Sequence, residues 1–402
     1  MKKQKILLYG FGTVGKGFYQ IYQDKKKPDF ELIGIIVKNP AKHVPVEVPI
    51  YAYNTENEKT LFLQADVVIE CTSNFTEGRD IILNALNQSK TVISASKKAL
   101  AEYLWEIIRA KEEHKAKLLY EAAAAASIPV FKALYQHFSD EKVRHFKAIL
   151  NGTCNYILTK MELEGLSYTK ALEQAQQLGY AEADPFLDVS GWDTAYKLTL
   201  LTFAATGIIL NPHQLFIEGI DNITFQDIYL AKNNGLKIKL LATADIEKGI
   251  YFVCPAFVSD ELANIDEAFN AIKIEYEYAK SQFYTGRGAG KEATGSAVWG
   301  DLNISEHINP VSYKTVSVSN TSDFTAYWFI RLNNHTHTDI LYSKGIEIIS
   351  YNKIQGYYVV EASLSALRIL KEHFSTVQII QIQNEDILKT FVKQSPAYSF
   401  QF

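Results

Sequence analysis

The stretch Gly179-Tyr180-Ala181-Glu182-Ala183-Asp184-Pro185 runs on to Asp188, Ser190, Asp193 and Lys197, so four carboxylates precede one lysine. Lys197 stands four residues after Asp193, a spacing that puts both on one helix face. Ser190 and Asp193 have the spacing of a capping-box variant, with Ser190 as cap and Asp193 at its third position. Read blandly, this is a helix cap with a surface ion pair, which contributes little. Residues 198–210, however, are apolar almost throughout, so the helix is expected to be buried. A lysine one turn into a buried helix is costly unless it is paired or chemically used. Such a lysine can pass a proton to or from an alcohol oxygen, with Glu182 and Asp193 holding a substrate ammonium.

A second pattern lies near the N-terminus. Lys5-Ile6-Leu7-Leu8-Tyr9 is a short apolar run, Gly10-Phe11-Gly12-Thr13-Val14-Gly15 follows, and the next residues can form a helix. In a mononucleotide-binding unit Gly10 permits the tight turn, Gly12 leaves room for the pyrophosphate, and Gly15 allows close helix–strand packing. The helix N-terminus offers N–H groups to phosphate oxygens. The next strand, residues 30–37, ends at Lys38-Asn39 with Lys42 close behind. An NAD site would place an acid there. A cation suits a 2′-phosphate, so NADP(H) is expected over NAD(H). The competing reading of Lys38 is a solvated loop charge.

Positioning these residues requires a scaffold. Strands are expected at residues 65–70, 91–94 and 117–121, with helices near 77–88 and 100–114. This alternation implies a Rossmann-type α/β fold, a doubly wound parallel sheet. Ligands bind beyond the carboxyl ends of such strands, so Thr72, Ser73, Asn74 and residues 94–97 should face the cofactor. Five alanines then lead into Ser127-Ile128-Pro129, as a helix or as a crossing between domains. Asn151-Gly152 marks a turn between an apolar strand and a helix. Near the C-terminus, strands are expected at 325–332, 345–350, 356–362 and 376–382, with a helix over 363–374. The expected domains are 1–125 for the dinucleotide, completed by about 292–310; 126–291, an α+β catalytic and dimerisation domain; and 311–402, a small α+β module.

Composition narrows the alternatives. The net charge of −4 implies no broad basic surface, which argues against a nucleic-acid partner. Cys71, Cys154 and Cys254 are too few and scattered for a disulfide framework or zinc site and suit a reducing compartment. The N-terminus runs directly into a strand, so no signal peptide is expected. The longest apolar run is shorter than the ~20 residues that span a bilayer, so no membrane partner is expected either. No histidine stands near Cys154 to activate it, so it is read as packing.

Over residues 6–302 the sequence strongly resembles homoserine dehydrogenases. The resemblance is carried by the glycine turn, Ser96-Lys97-Lys98-Ala99, Tyr120-Glu121-Ala122-Ala123, the run from Leu150-Asn151-Gly152-Thr153-Cys154 to Leu158, and the block from Gly179 through Lys197. It continues through Ile217-Glu218-Gly219-Ile220-Asp221 and Gly286-Arg287-Gly288-Ala289-Gly290. It implies NAD(P)-dependent interconversion of L-homoserine and L-aspartate 4-semialdehyde by direct hydride transfer, in threonine, methionine and isoleucine biosynthesis. It further implies that Lys197 carries the proton, that Glu182 and Asp193 bind substrate, and that Lys97 lies between cofactor and substrate and shares the proton work. Phe11, Gly12, Thr13 and Val14 would touch the cofactor, the turn containing Gly288 would close over it from the other domain, and the helix near Thr294 would return to the first domain. A monovalent cation, Na+ or K+, would sit at Glu121, Ala124, Ala126 and Ile128, although this chain has alanines where the family usually has glycine. A cytoplasmic homodimer or homotetramer is implied. The C-terminal module resembles a degenerate ACT domain, with residues 331–337 replacing its usual turn. Two other readings stand beside this one: a cofactor-binding regulator without catalysis, and a related oxidoreductase acting on another amino acid.

Overall fold

The computed structural model describes residues 3–25, 29–138, 140–305, 317–319, 323–332, 338–374 and 376–393. The chain forms two compact units. The first comprises residues 1–141, 199–212 and 286–319, and the second 142–198, 213–285 and 320–402.

The first unit is built on six parallel strands: β1 (Gln4–Tyr9), β2 (Phe30–Val37), β3 (Ile50–Ala52), β4 (Val67–Glu70), β5 (Thr91–Ser94) and β6 (Lys117–Leu119). Their order is β3-β2-β1-β4-β5-β6, the doubly wound arrangement in which the chain reverses direction beside β1. Ile6, Leu7, Leu8, Val67, Val68 and Ile69 are fully buried. Burial on both faces follows from helices covering both sides of a parallel sheet. The helix expected over 100–114 breaks at Tyr103 into Lys97–Glu102 and Leu104–Glu113. The alanine run resolves as a short 3-10 turn at Glu121–Ala123, not a regular helix. The late helix Lys291–Ile304 belongs to this unit. Its Trp299 packs on Phe18 and Phe30 with ring centroids 6.1 and 6.0 Å away.

The second unit opens with β7 (Val143–Ile149). The helix Trp192–Thr206 ends at Gly207 (φ 78°), and β8 (Ile208–Leu210) follows. The single buried helix expected through residue 210 is therefore interrupted at the one residue that takes a left-handed φ without cost. β9 (Phe216–Ile217), β10 (Lys237–Asp245), β11 (Ile250–Val258), β12 (Phe269–Tyr276) and β13 (Ser281–Arg287) come next. β14 (Ser317–Ser319) pairs in parallel with β8, and both strands belong to the first unit. The C-terminal strands are β15 (Thr325–Arg331), β16 (Glu347–Asn352), β17 (Tyr357–Ser363) and β18 (Gln378–Ile382).

One mixed sheet runs β13-β12-β7-β10-β11-β18-β15-β17-β16. The C-terminal module is thus continuous with the middle segment, through the parallel pairing of β11 with β18 at Ala256↔Gln381 and Phe257↔Ile382. With helices Thr338–Ser343 and Leu364–His373 between its strands, the module is a split βαβ unit. Trp328, Ile330, Tyr358 and Val360 share one core with Phe252 and Cys254 of β11. Two ion pairs reinforce that seam: Arg331 on Asp227 at 2.7 Å, and Lys371 on Glu218. Residues 333–337, where the ACT turn is replaced, lie outside the described residues. Among the described residues no helix is long and apolar enough to cross a membrane.

Candidate functional site

In the first unit, Gly10, Phe11, Gly12, Lys38, Thr72 and Ser73 line one groove of about 680 Å3 at the carboxyl ends of β1, β2 and β4. Gly10 has φ 89°, and a Cβ there would lie 2.4 Å from the Cys71 carbonyl oxygen, so only glycine fits. A Cβ on Gly15 would lie 2.2 Å from the Gly10 carbonyl oxygen, which fixes how closely helix and turn approach. A Cβ on Gly12 would meet nothing within 4 Å. Its missing side chain therefore serves open space in the groove, as a pyrophosphate cradle requires. The helix Thr13–Lys25 starts at Thr13, with Val14 and Gly15 in its first turn. Its opening N–H groups fit a phosphate.

Glu70, at the end of β4, is fully buried and was not singled out by its sequence position. It accepts hydrogen bonds from Thr72 N (2.8 Å) and Oγ1 (2.6 Å), Ser94 Oγ (2.6 Å) and Ser96 Oγ (2.9 Å). These bonds fix the loops after β4 and β5, which carry Thr72, Ser73 and the start of the Lys97 helix. Lys38 is exposed, with its ammonium 3.7 Å from Glu77. The turn of residues 286–290 falls in the first unit. Ser127 N and Oγ donate to Arg287 O at 3.1 and 2.8 Å, which ties the turn holding Gly288 to the alanine segment.

In that segment Glu121, Ala124, Ala126 and Ile128 are all buried. The Glu121 carboxylate accepts from Phe131 N (3.0 Å) and Lys132 N (2.9 Å), capping the one-turn helix that follows. Burial and the neighbouring Asp301 carboxylate push its carboxyl up to about 7. Ala126 takes φ 44°, a left-handed conformation that costs alanine more than glycine.

The second unit holds a nest of polar side chains. Asn151 caps the helix Gly152–Glu164, its Oδ1 accepting from Cys154 N at 2.7 Å. Its Nδ2 donates to Asp188 Oδ1 (2.7 Å) and Asp193 Oδ2 (2.9 Å). Asp193 Oδ2 also meets Lys197 Nζ at 2.9 Å. Lys197 donates to the Leu150 carbonyl at 2.6 Å, and Asn270 Nδ2 shares that carbonyl at 3.0 Å. Asp193 and Lys197 are 3% and 5% exposed, so this is a desolvated, hydrogen-bonded ion pair and not the surface pair of the bland reading. Asn270 Oδ1 is buried and accepts no hydrogen bond among the described residues.

Ser190 does not cap the Lys197 helix as its spacing suggests. Its hydroxyl donates back to Phe186 O and closes the short helix Phe186–Val189. Gly191 (φ 88°) makes the sharp entry instead. Glu182 lies exposed on the preceding turn, its backbone carbonyl accepting from Gln176 Nε2 at 3.1 Å. Cys154 is buried, its thiol donating to Asp188 O at 3.2 Å, and burial pushes that thiol well up. It is protonated packing, not a nucleophile. Asn151 was legible as a turn residue but not as a carboxylate partner. Asn270, inside β12, carries no local signal at all.

A six-stranded doubly wound sheet with a glycine cradle, in a chain whose second unit buries a lysine–aspartate pair, defines a nicotinamide-dependent dehydrogenase. Family models described as "Homoserine dehydrogenase, NAD binding domain" and "Homoserine dehydrogenase" match residues 10–121 and 129–302. A homoserine dehydrogenase of Lactococcus lactis is 29% identical over 94% of this chain and 95% of the relative. One of Neisseria gonorrhoeae is 33% identical over 75% of this chain and 72% of the relative. The crystal structure of a homoserine dehydrogenase from Thiobacillus denitrificans superposes with a TM-score of 0.80, at 26% identity, covering 96% of this chain and 99% of that one. The chain belongs to the homoserine dehydrogenase family, NAD(P)-dependent oxidoreductases acting on a CH–OH group.

Proposed function

We propose that this chain interconverts L-homoserine and L-aspartate 4-semialdehyde with Lys197 as the proton donor and acceptor at the substrate oxygen. The observation that carries this reading is the buried Lys197–Asp193 pair at 2.9 Å, braced by the Leu150 carbonyl. When bound, the nicotinamide gives or takes the hydride. Asp193 and Leu150 O orient the ammonium, and Asn151 and Asn270 hold those two acceptors in turn. Low solvent access keeps water from competing for the proton. Glu182 and Asp193 bind the substrate, and Lys97, opening its helix at the end of β5, shares in substrate binding and proton transfer.

The cofactor is held by Gly10, Phe11, Gly12, Thr13, Val14, Gly15, Lys38, Thr72, Ser73, Lys97 and Gly288. The exposed Lys38 ammonium at the end of β2 supports NADP(H) over NAD(H). A monovalent cation, Na+ or K+, is assigned to the segment holding Glu121, Ala124, Ala126 and Ile128. The strained φ of Ala126 supports a functional turn there. Because the Glu121 carboxylate is already engaged by two N–H groups, the segment's backbone carbonyls are the available donors. We further assign residues 1–125 and 292–310 to cofactor binding and 126–291 to catalysis and dimerisation. The enzyme is read as a cytoplasmic homodimer or homotetramer serving threonine, methionine and isoleucine biosynthesis, with an ACT-like C-terminal module.

The test follows nicotinamide absorbance with L-aspartate 4-semialdehyde and NADPH or NADH, and in reverse with L-homoserine against other hydroxy amino acids. Turnover confined to the homoserine pair, faster with NADPH and shifted toward NADH by Lys38→Glu, is expected. Cofactor binding without turnover would promote the regulator reading. Faster turnover of another hydroxy amino acid would promote the related oxidoreductase.

A further inference from the structure

Away from the Lys197 nest, the second unit contains a cavity of about 450 Å3 between β7, β10 and β11 on one side and β15 with the end of β18 on the other. It falls in the size range of small-molecule sites. Lys147 of β7 reaches into it and donates to Gln383 Oε1 at 2.6 Å, the one partner its ammonium has among the described residues. Burial pushes the Lys147 ammonium down, the signature of a charge short of compensation. The carboxylate that acts on it, Asp260, is already engaged by Lys273 at 3.8 Å and by Leu262 N at 3.2 Å. Three more polar atoms on this cavity, Thr243 Oγ1, Gln381 Oε1 and Gln383 Nε2, are buried and make no hydrogen bond among the described residues.

A part-buried ammonium with unused donors, beside a buried hydroxyl and amide N–H whose bonds are unmade and therefore costly, fits an anion. Phe252 and Tyr327 add apolar wall. Asp245 and Glu385 also line the cavity, which disfavours a phosphate dianion and favours a single negative charge. We propose that this cavity is a binding site for a small organic carboxylate, with Lys147 as counter-ion and Thr243 and Gln383 as further donors. Gln381 Oε1 would accept from a hydroxyl or amino group elsewhere on the ligand.

The experiment uses trifluoroacetate as a fluorine NMR probe of the full chain. The expected result is saturable line broadening that acetate reverses. It should be lost in Lys147→Met, and equally in Gln383→Glu, which supplies Lys147 with an internal carboxylate. Dehydrogenase activity retained in each variant shows that it is folded, and Gln383→Glu decides the matter by itself if Lys147→Met does not fold. Broadening that persists in the folded variants would mean the anion binds elsewhere and would overturn the proposal. Displacement by inorganic phosphate but not acetate would also overturn it. So would broadening that disappears as protein concentration rises, which would assign the cavity to contact between copies of the chain.

Discussion

The cofactor groove and the lysine nest are built in opposite ways. The groove is mostly backbone: a turn of six residues, a helix start and two loops, with its key contacts set by missing side chains at Gly10, Gly12 and Gly15. The nest is side chains from four separate stretches, around Leu150–Asn151, at Asp188, at Asp193–Lys197 and at Asn270. A backbone cradle tolerates any ligand with the right phosphate geometry. A nest of charged and amide groups in low dielectric is sensitive to each member, because every lost partner leaves another buried polar group unsatisfied.

The sharpest break is Lys197→Met. If the nest carries the proton, kcat should fall by roughly 10²–10⁴-fold, the usual worth of a positioned acid or base, while cofactor affinity by fluorescence titration stays within error. Equal turnover in both proteins would move the proton to Lys97 or water. Next is Asn270→Leu, which leaves the shared Leu150 carbonyl to Lys197 alone. A roughly tenfold loss of kcat/KM, about 1.4 kcal/mol, is expected, with KM for cofactor unchanged. A parallel loss of cofactor affinity would show that groove and nest are not separable.

Within the groove, Gly10→Ala and Gly12→Val should behave differently. Gly10→Ala meets backbone at 2.4 Å with φ 89° and should lower the melting temperature, at a cost of about 1–3 kcal/mol. Gly12→Val meets open space and should leave the melting temperature unchanged while raising the cofactor KM. A Gly12→Val protein with unaltered cofactor KM would remove Gly12 from the pyrophosphate site.

The smallest effect concerns the seam with the C-terminal module. Burial pushes Glu218 up to about 7, only partly countered by the Lys371 ammonium. A carboxyl whose folded value lies above its unfolded one, ordinarily near 4.5, adds stability at low pH that is lost as pH rises through about 7. Glu218→Gln should therefore gain melting temperature relative to wild type between pH 5 and pH 8. A constant difference across that window would show that Lys371 fully compensates the charge.

Much of the scaffold could be read directly. β2 spans Phe30–Val37 and β5 spans Thr91–Ser94, both as expected, because fully buried parallel strands are short apolar runs bounded by turns. The capping box at Ser190 misled because the same spacing serves equally to close the preceding helix, and only the Gly191 turn decides which helix the serine joins. The continuation of the apolar run into β8 was hidden for a similar reason: hydrophobicity reports burial, not whether the buried segment is helix or strand.

The sequence by itself determined the glycine cradle, the alternation that produces a doubly wound sheet, and the four-residue spacing that pairs Asp193 with Lys197. These are local properties, fixed by backbone sterics and helix geometry. The tertiary structure alone decided that Asn151 and Asn270, 119 positions apart in the chain, would brace that pair, and that Glu70 would anchor both cofactor loops. It also decided that β18 would join the C-terminal module to β11. Contacts of that kind depend on which strands become neighbours in a sheet, and strand order is set by burying the whole apolar surface together, a quantity that no short stretch of sequence contains.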